Sequence, residues 1–390
     1  MQQFSYFCNT KIEMGMGLSD RLPELLAAQS VGASLLLVAD PGVAKAGLIA
    51  PMQSALEAAG YRVVRFEAFS QNPRDAECLA GAKLFAEERL DAVVAIGGGS
   101  AMDTGKAIAL LGPNGGEPLD YCEGRRAYAG IAPVVCVPTT AGTGSEVTRS
   151  SVITESSTHR KLTLKHAALR PQLAVLDPKL TFTVPPSVTA ATGVDALVHA
   201  IEGYTCRATN PISQAMGARA MEIIVEALPI AYREPRNEEA RFRMLEGSLL
   251  AGLCFGSSDV AAVHCLAEAL GGLYDTPHGV ANAVFLPYVL AFNSQEAKPV
   301  HAKLARIMKF AAESDADDVA VRRLVEGVRA WTAGLGIPKL GELPGVREEH
   351  FPRIVELAVQ NNSTPSNVRP IGAENYARIL KEAYGDTHTA

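Results

Sequence analysis

Residues Ser34 to Ala39 (SLLLVA) and Leu90 to Ile96 (LDAVVAI) are short, nearly unbroken apolar runs. A strand with one face in water would alternate apolar and polar residues, so runs of this kind fit strands covered on both faces. Helix-spaced stretches lie between and after them, at Leu48 to Gly60, Ala76 to Arg89 and about Ala101 to Leu111. Further strands read at Tyr61 to Phe66 and Pro133 to Pro138. Strands separated by helices in this way predict a parallel sheet with helices on both sides.

The alternation stops near LTFTVPP, residues 180–186. Helical spacing then takes over at Ser187 to Thr205, Pro211 to Ala227, Glu238 to Gly252, Val260 to Leu273, Pro299 to Ala312, Asp318 to Gly334, Glu349 to Gln360 and Ala373 to Tyr384. The 390 residues therefore divide into an α/β domain, 1–185, and an all-α domain, 186–390. No internal repeat or low-complexity segment interrupts either part.

Charge and cysteine content limit the partners. The net charge is -6 and no basic cluster is present, which argues against nucleic acid. No apolar run of ~18 residues and no basic amphipathic stretch points to a membrane. The N-terminal MQQFSYFCNTKIEMGMG has no secretion-signal pattern. Seven cysteines, an odd number without C-x-x-C spacing, read as reduced thiols in a cytoplasm. Of these, Cys254 and Cys265 read as small core residues, and Met14 and Met16 as packing residues.

Two loops have the chemistry of phosphate binding. LDAVVAIGGGSAMDTGKAIAL sets Gly97, Gly98, Gly99 and Ser100 between a buried strand and a helix, with Asp103 and Lys106 in the first turns. Glycine lets backbone approach a phosphate closely, and a helix start offers free N–H groups. Ser100 is placed to cap the helix and to donate to a phosphate oxygen. The second loop, CVPTTAGTGSEVTRSSVIT, offers Thr139, Thr140, Thr143, Ser145 and Thr148 at the end of another strand. Ligands of open α/β sheets bind at that edge. Asp40 ends the first strand, where a carboxylate can hold an adenosine ribose and repel a 2′-phosphate, favouring NAD over NADP; Asp-Pro-Gly is equally a turn. The basic segment HRKLTLKH, 159–166, reads as solvated surface with Lys161 in reach of a phosphate or ribose.

A metal set lies in the helical half. TGVDALVHAIEGYT places Asp195 and His199 four apart, on one helix face. AAVHCLAEALGGLYDTPHG places His264 on a second helix and His278 in the Pro-Gly loop after it. One carboxylate and three imidazoles suit Fe(II), Zn(II), Mn(II) or Co(II). Glu268 shares the face of His264, and Glu202 that of His199; each reads as a ligand, as an acceptor behind a ligand, as an acid/base group or as an ordinary helix carboxylate.

The stretches GGGSAMDTGKAIAL, PTTAGTGSEVT, GVDALVHAIEGYT and HCLAEALGGLYDTPHGVANAVFLPYVLAFN together resemble the iron-containing (group III) alcohol dehydrogenases, from about residue 5 to 385. The resemblance implies the dehydroquinate synthase-like fold, a Rossmann-like parallel sheet followed by a helical domain, with a cleft between them. It implies NAD lined by Asp40, Asn72, Gly97, Gly98, Gly99, Ser100, Asp103, Thr139, Thr140, Thr143, Ser145, Thr148, Lys161 and Leu180. It implies Fe(II), or else Zn(II) or Mn(II), held by Asp195, His199, His264 and His278. It also implies a homodimer or larger homo-oligomer. Many members carry a second histidine four residues after the third ligand; here Glu268 stands there, and the region 361–370 matches the family's cleft-facing loop only loosely.

The expected reaction is a reversible, NAD-dependent interconversion of a primary alcohol and its aldehyde, with Glu268 and His278 as catalytic groups. Apolar Phe255 and Val152 favour a small or medium substrate. The alternatives are a metal- and NAD-dependent cyclase of the dehydroquinate synthase kind, or a non-catalytic nucleotide-binding scaffold. The cyclase needs Lys and Arg near the metal, and VDALVHAIEGY and VAAVHCLAEALGGLY contain none.

Overall fold

In the computed structural model, which describes residues 3–385, the apolar runs form the middle of a six-stranded parallel sheet. Its strands are β1 (Lys11–Met14), β2 (Ser34–Ala39), β3 (Arg62–Phe66), β4 (Ala92–Gly97), β5 (Val134–Pro138) and, beyond a two-stranded antiparallel hairpin β6 (Ser150–Thr154) and β7 (Lys161–Lys165), β8 (Leu173–Leu176). The order across the sheet is β1-β8-β5-β4-β2-β3.

The reason for the missing polar face is visible in the packing. Leu35, Leu37, Val94, Ile96, Val135 and Val137 pack to one side, against Leu22, Leu26, Met52 and Leu56. Leu36, Val38, Val93, Ala95 and Cys136 pack to the other, against Phe85, Met102 and Ile108. The first layer comes from helices α1 (Leu22–Ala27) and α3 (Ile49–Ala58), and the second from α4 (Asp75–Glu87) and α5 (Gly99–Asn114). Short helices α2 (Pro41–Lys45) and α6 (Pro118–Cys122) complete this part.

The described chain separates into two compact units, one of them Phe7–Val184 and the other built on the chain from Pro185 onward with the short stretch ahead of Phe7. The second unit is helical throughout: α7 (Pro186–Thr205), α8 (Pro211–Arg233), α9 (Glu238–Gly256), α10 (Ala262–Tyr274), α11 (His278–Ser294), α12 (Lys298–Ile307), α13 (Asp317–Gly334), α14 (Phe351–Gln360) and α15 (Ala373–Gly385). The termini expected for the two domains, residues 1–2 and 386–390, lie outside the described residues.

Four features differ from the sequence reading. Strands β1, β6, β7 and β8 are absent from it. The basic segment 159–166 is largely strand β7, whose Leu162 and Leu164 are buried with Tyr121, Ile153 and Leu169. Met16 is 40% exposed and so is not a packing residue. His278 is not in a loop: it is the first residue of α11.

Candidate functional site

The Gly-rich turn sits at the C-terminal edge of the sheet, where β2, β4 and β5 end side by side. Asp40 N–H donates to the Ile96 carbonyl, and Thr139 N–H to that of Gly97. The chain crosses from β3, next to β2, back to β4 on β2's other side, so this edge is the sheet's switch point. Crowding explains the glycines: a Cβ on Gly97 would lie 2.7 Å from Ala101 Cβ, and one on Gly99 would lie 2.7 Å from Thr143 Cγ2. Helix α5 starts on Gly99, so Gly98 holds the cap position and no side chain caps it. Ser100 is not the cap; its hydroxyl donates to the Gln71 carbonyl.

The other residues expected to line a nucleotide differ in their commitments. One Asp40 oxygen caps α2, accepting from Gly42 and Val43 N–H at 2.8 and 3.3 Å. Lys161 Nζ donates to Asn72 Oδ1 and Thr154 Oγ1, both at 2.9 Å. Leu180 belongs to the apolar layer beneath the sheet. Thr140 Oγ1 is buried without a hydrogen-bond partner among the described residues, 3.3 Å from where a Gly98 Cβ would stand. An open hydroxyl beside a side-chain-free helix start is a fit for a phosphate oxygen of NAD.

Behind this edge lies a buried polar node. Lys106, on α5, is fully enclosed, and its Nζ is bonded to Ser145 O (2.6 Å), Ser145 Oγ (2.8 Å), Thr148 Oγ1 (3.2 Å) and Ser150 O (2.9 Å). Ser145 Oγ in turn donates to Asp103 Oδ1 at 2.7 Å, and Val152 N–H donates to Asp103 Oδ2 at 3.0 Å. Desolvation pulls the Lys106 ammonium below its usual range, while the charges of Asp103 and Glu146 pull it back. Ser145, Thr148 and Asp103 thus shape the Thr-rich loop from within.

The metal candidates come together in the helical unit. One ligand atom from each of Asp195, His199, His264 and His278 lies within 4.8 Å of every other. Asp195 and His199 are one turn apart on α7; α10 brings His264 and α11 brings His278. Gly279 permits the last approach, since a Cβ there would stand 2.5 Å from the Ala191 carbonyl oxygen of α7. Asp195 Oδ1 is 4.0 Å from His264 Nε2 and 3.8 Å from His278 Nε2, a few tenths of an ångström wider than the ~3.4 Å between tetrahedral ligands that share one ion at about 2.1 Å.

Donor chemistry supports the same fit. His264 Nε2 is buried and has no hydrogen-bond partner among the described residues. A buried nitrogen lone pair beside a carboxylate is costly unless a cation shares it. Burial pushes the Asp195 carboxyl up to about 6, although His264 and the Asn282 hydrogen bond pull it down. For His264, burial acts downward, yet the Glu202 hydrogen bond and the charges of Glu202, Asp195 and Glu268 leave it raised. Asn282, which the sequence reading missed, donates to Asp195 Oδ1 at 2.6 Å and lies 3.0 Å from His278 Nε2. Its position four residues after His278 becomes a signal only once His278 is known to start a helix. Around the set, Phe255 stacks on His199 with centroids 4.2 Å apart, and Glu268 Oε2 accepts from Asn361 Nδ2 at 2.7 Å.

Comparison with known proteins agrees with this chemistry. Residues 9–178 match the family model for iron-containing alcohol dehydrogenase, and residues 189–384 match that for the C-terminal part of the Fe-containing alcohol dehydrogenase family. The chain belongs to the iron-containing alcohol dehydrogenase family. It is 37% identical over 349 residues to alcohol dehydrogenase 4 of Saccharomyces cerevisiae, covering 90% of each chain. It is 34% identical over 348 residues to the NAD-dependent methanol dehydrogenase of Bacillus methanolicus, covering 89% of this chain and 91% of that one. A crystal structure of a 1,3-propanediol oxidoreductase superposes with a TM-score of 0.91 at 33% identity, over 98% of this chain and all of the other.

Proposed function

We propose that this chain interconverts a small or medium primary alcohol and its aldehyde, using NAD and a divalent metal, Fe(II) before Zn(II) or Mn(II). The observation that carries the reading is the convergence of Asp195, His199, His264 and His278, with His264 Nε2 buried and unbonded among the described residues and facing Asp195. A metal held there supplies Lewis acidity toward an alcohol oxygen, and NAD supplies the hydride acceptor.

The chain's own residues take the remaining tasks. Asn282 orients the Asp195 carboxylate. Phe255 gives the His199 ring an apolar wall. Glu268, held by Asn361, stands one turn beyond His264 and takes up the alcohol proton; half-exposed His278 assists it. Asp40 disfavours a 2′-phosphate by charge, so NAD is used in preference to NADP. The Lys106 node keeps the Thr-rich loop in shape for the cofactor. The name of the Bacillus methanolicus relative includes NAD dependence, which supports this cofactor for the present chain.

We propose further that the protein is cytoplasmic and forms a homodimer or larger homo-oligomer, with neither nucleic acid nor membrane as partner. No helix among the described residues is long and apolar enough to cross a membrane. Light scattering in solution tests the assembly, and a monomer mass would overturn it.

The reaction is tested by following NADH absorbance with NAD and a panel of short alcohols and diols. Chelator-stripped protein is compared with protein reloaded anaerobically with Fe(II). Turnover that disappears on stripping and returns with iron is the expected result. NAD binding without turnover on any alcohol or aldehyde would overturn the reading.

A further inference from the structure

Three donors converge on one buried carboxylate in the helical unit. Glu202, 3% exposed, lies on α7 one turn after His199. Its Oε1 accepts from Val263 N–H at 2.7 Å, and its Oε2 accepts from Ala261 N–H at 2.7 Å. His264 Nδ1 lies 2.6 Å from the same Oε2. Ala261 is the residue ahead of α10, and alanine has no side chain with which to cap a helix. Glu202 therefore caps α10 from another helix.

The same contacts determine where the His264 proton sits. A carboxylate that already accepts two backbone N–H groups has only lone pairs to offer the ring. The nitrogen facing it must carry the hydrogen, which in the neutral ring, the form that binds a metal, leaves Nε2 with the lone pair. That nitrogen is the one buried without a partner among the described residues, 4.0 Å from Asp195 Oδ1.

We infer that Glu202 is the positioning residue of the metal centre: it fixes His264 in the Nδ1–H tautomer and locks the ring to the first turn of α10, so that Nε2 is presented as a ligand. This inference rests on the four-ligand reading above. It goes beyond it by giving a role to a residue outside the ligand set. Carboxylates behind ligating histidines fix tautomer and ring direction in this way, and losing one weakens metal binding by about 10–100-fold.

Glutamine at position 202 is a discriminating change. Its single carbonyl oxygen can serve Ala261 and His264 only by turning the amide NH2 against Val263 N–H. In the opposite orientation the NH2 faces His264 Nδ1 and drives the ring proton to Nε2, the ligand nitrogen. Both arrangements keep the volume and lose part of the site.

The test is a Zn(II) titration of apo wild type and E202Q against a chromophoric chelator, with circular dichroism of both apo proteins. The expected result is wild-type binding, at least tenfold weaker binding by E202Q, and matching spectra. E202Q binding within twofold of wild type would reduce Glu202 to a helix cap and overturn the inference, with the four-ligand reading intact. Wild type that holds no Zn(II) would overturn the four-ligand reading itself. Should E202Q fail to fold, nitrogen NMR of 15N-histidine-labelled wild type decides. The resonance lost in His264→Asn is expected to show Nδ1 protonated, and a ring with its proton on Nε2 alone would overturn the inference.

Discussion

Lys106 in the α/β unit and His264 in the helical unit are both polar side chains enclosed on helices, yet their surroundings differ in one respect. The Lys106 ammonium is bonded on all sides, to two hydroxyls and two carbonyls, and Asp103 closes the circuit through Ser145. His264 is bonded on one side only, to Glu202, and its other nitrogen faces Asp195 without a bond. A buried polar cluster with every valence satisfied holds a loop in place and is finished as it stands. One left open toward a carboxylate carries a free-energy penalty that a cation removes. The difference separates scaffold from chemistry more sharply than burial or residue type does.

Breaking the open cluster has the largest expected effect. His264→Ala removes the lone pair and is expected to abolish metal retention and to lower kcat/KM by about 10³-fold or more, as loss of Lewis acidity worth several kcal/mol requires. Metal analysis of the purified variant checks the first part and NADH absorbance the second. Full activity in this variant would remove the ion from the mechanism. Breaking the closed cluster acts on stability instead. Lys106→Met takes this donor from the Ser150 carbonyl and leaves Asp103 without its cation, which costs about 3–5 kcal/mol by urea denaturation. Metal content should stay at the wild-type level. A cost below about 1 kcal/mol would mean that the node is not structural.

The smallest effect sharpens the comparison through pH. Glu146, next to Ser145 and 2% exposed, is pushed up to about 7 by burial, against some relief from Lys106. The folded protein then holds this proton to higher pH than the unfolded chain does. Stability is therefore lost as pH rises from about 4.5 toward 7, and the loss is complete above that window. Glu146→Gln has no such proton to release. Its melting temperature should exceed that of wild type at pH 8, by at most about 3 kcal/mol in stability, and the gain should vanish by pH 4.5. An equal gain at both pH values would show that the carboxyl is not titrating there.

What the sequence made legible follows from how much of each signal is local. The runs at 34–39 and 90–96 are readable because both their faces are covered, leaving no polar interruption. The Asp195–His199 pair is readable because four residues make one helical turn. β7 was hidden because Leu162 and Leu164 alternate with Lys161, Thr163 and Lys165, so its charges masked a two-residue period. His278 was misplaced because Asp-Thr-Pro-His-Gly has turn composition. Pro277 in fact precedes a helix, and Gly279 is there for contact with Ala191. With that helix start unseen, Asn282 had no face to share. Lys106 was visible as a residue, but its role depends on a loop about 40 residues onward.

The register of the sheet has a consequence for how the protein is made. β1 pairs only with β8, Lys11 opposite Leu173, and β5 has β8 as its outer neighbour. Once β5 is made, a ribosome adding about 5–20 residues per second needs about 2–8 s to deliver β8, its missing partner. During that interval β5 offers an unpaired edge of Val-Val-Cys-Val with no charge to deter another chain. A holdase chaperone that covers this edge until β8 arrives should therefore raise soluble yield. Truncations ending before residue 173 should aggregate even though every nucleotide-loop glycine is already present.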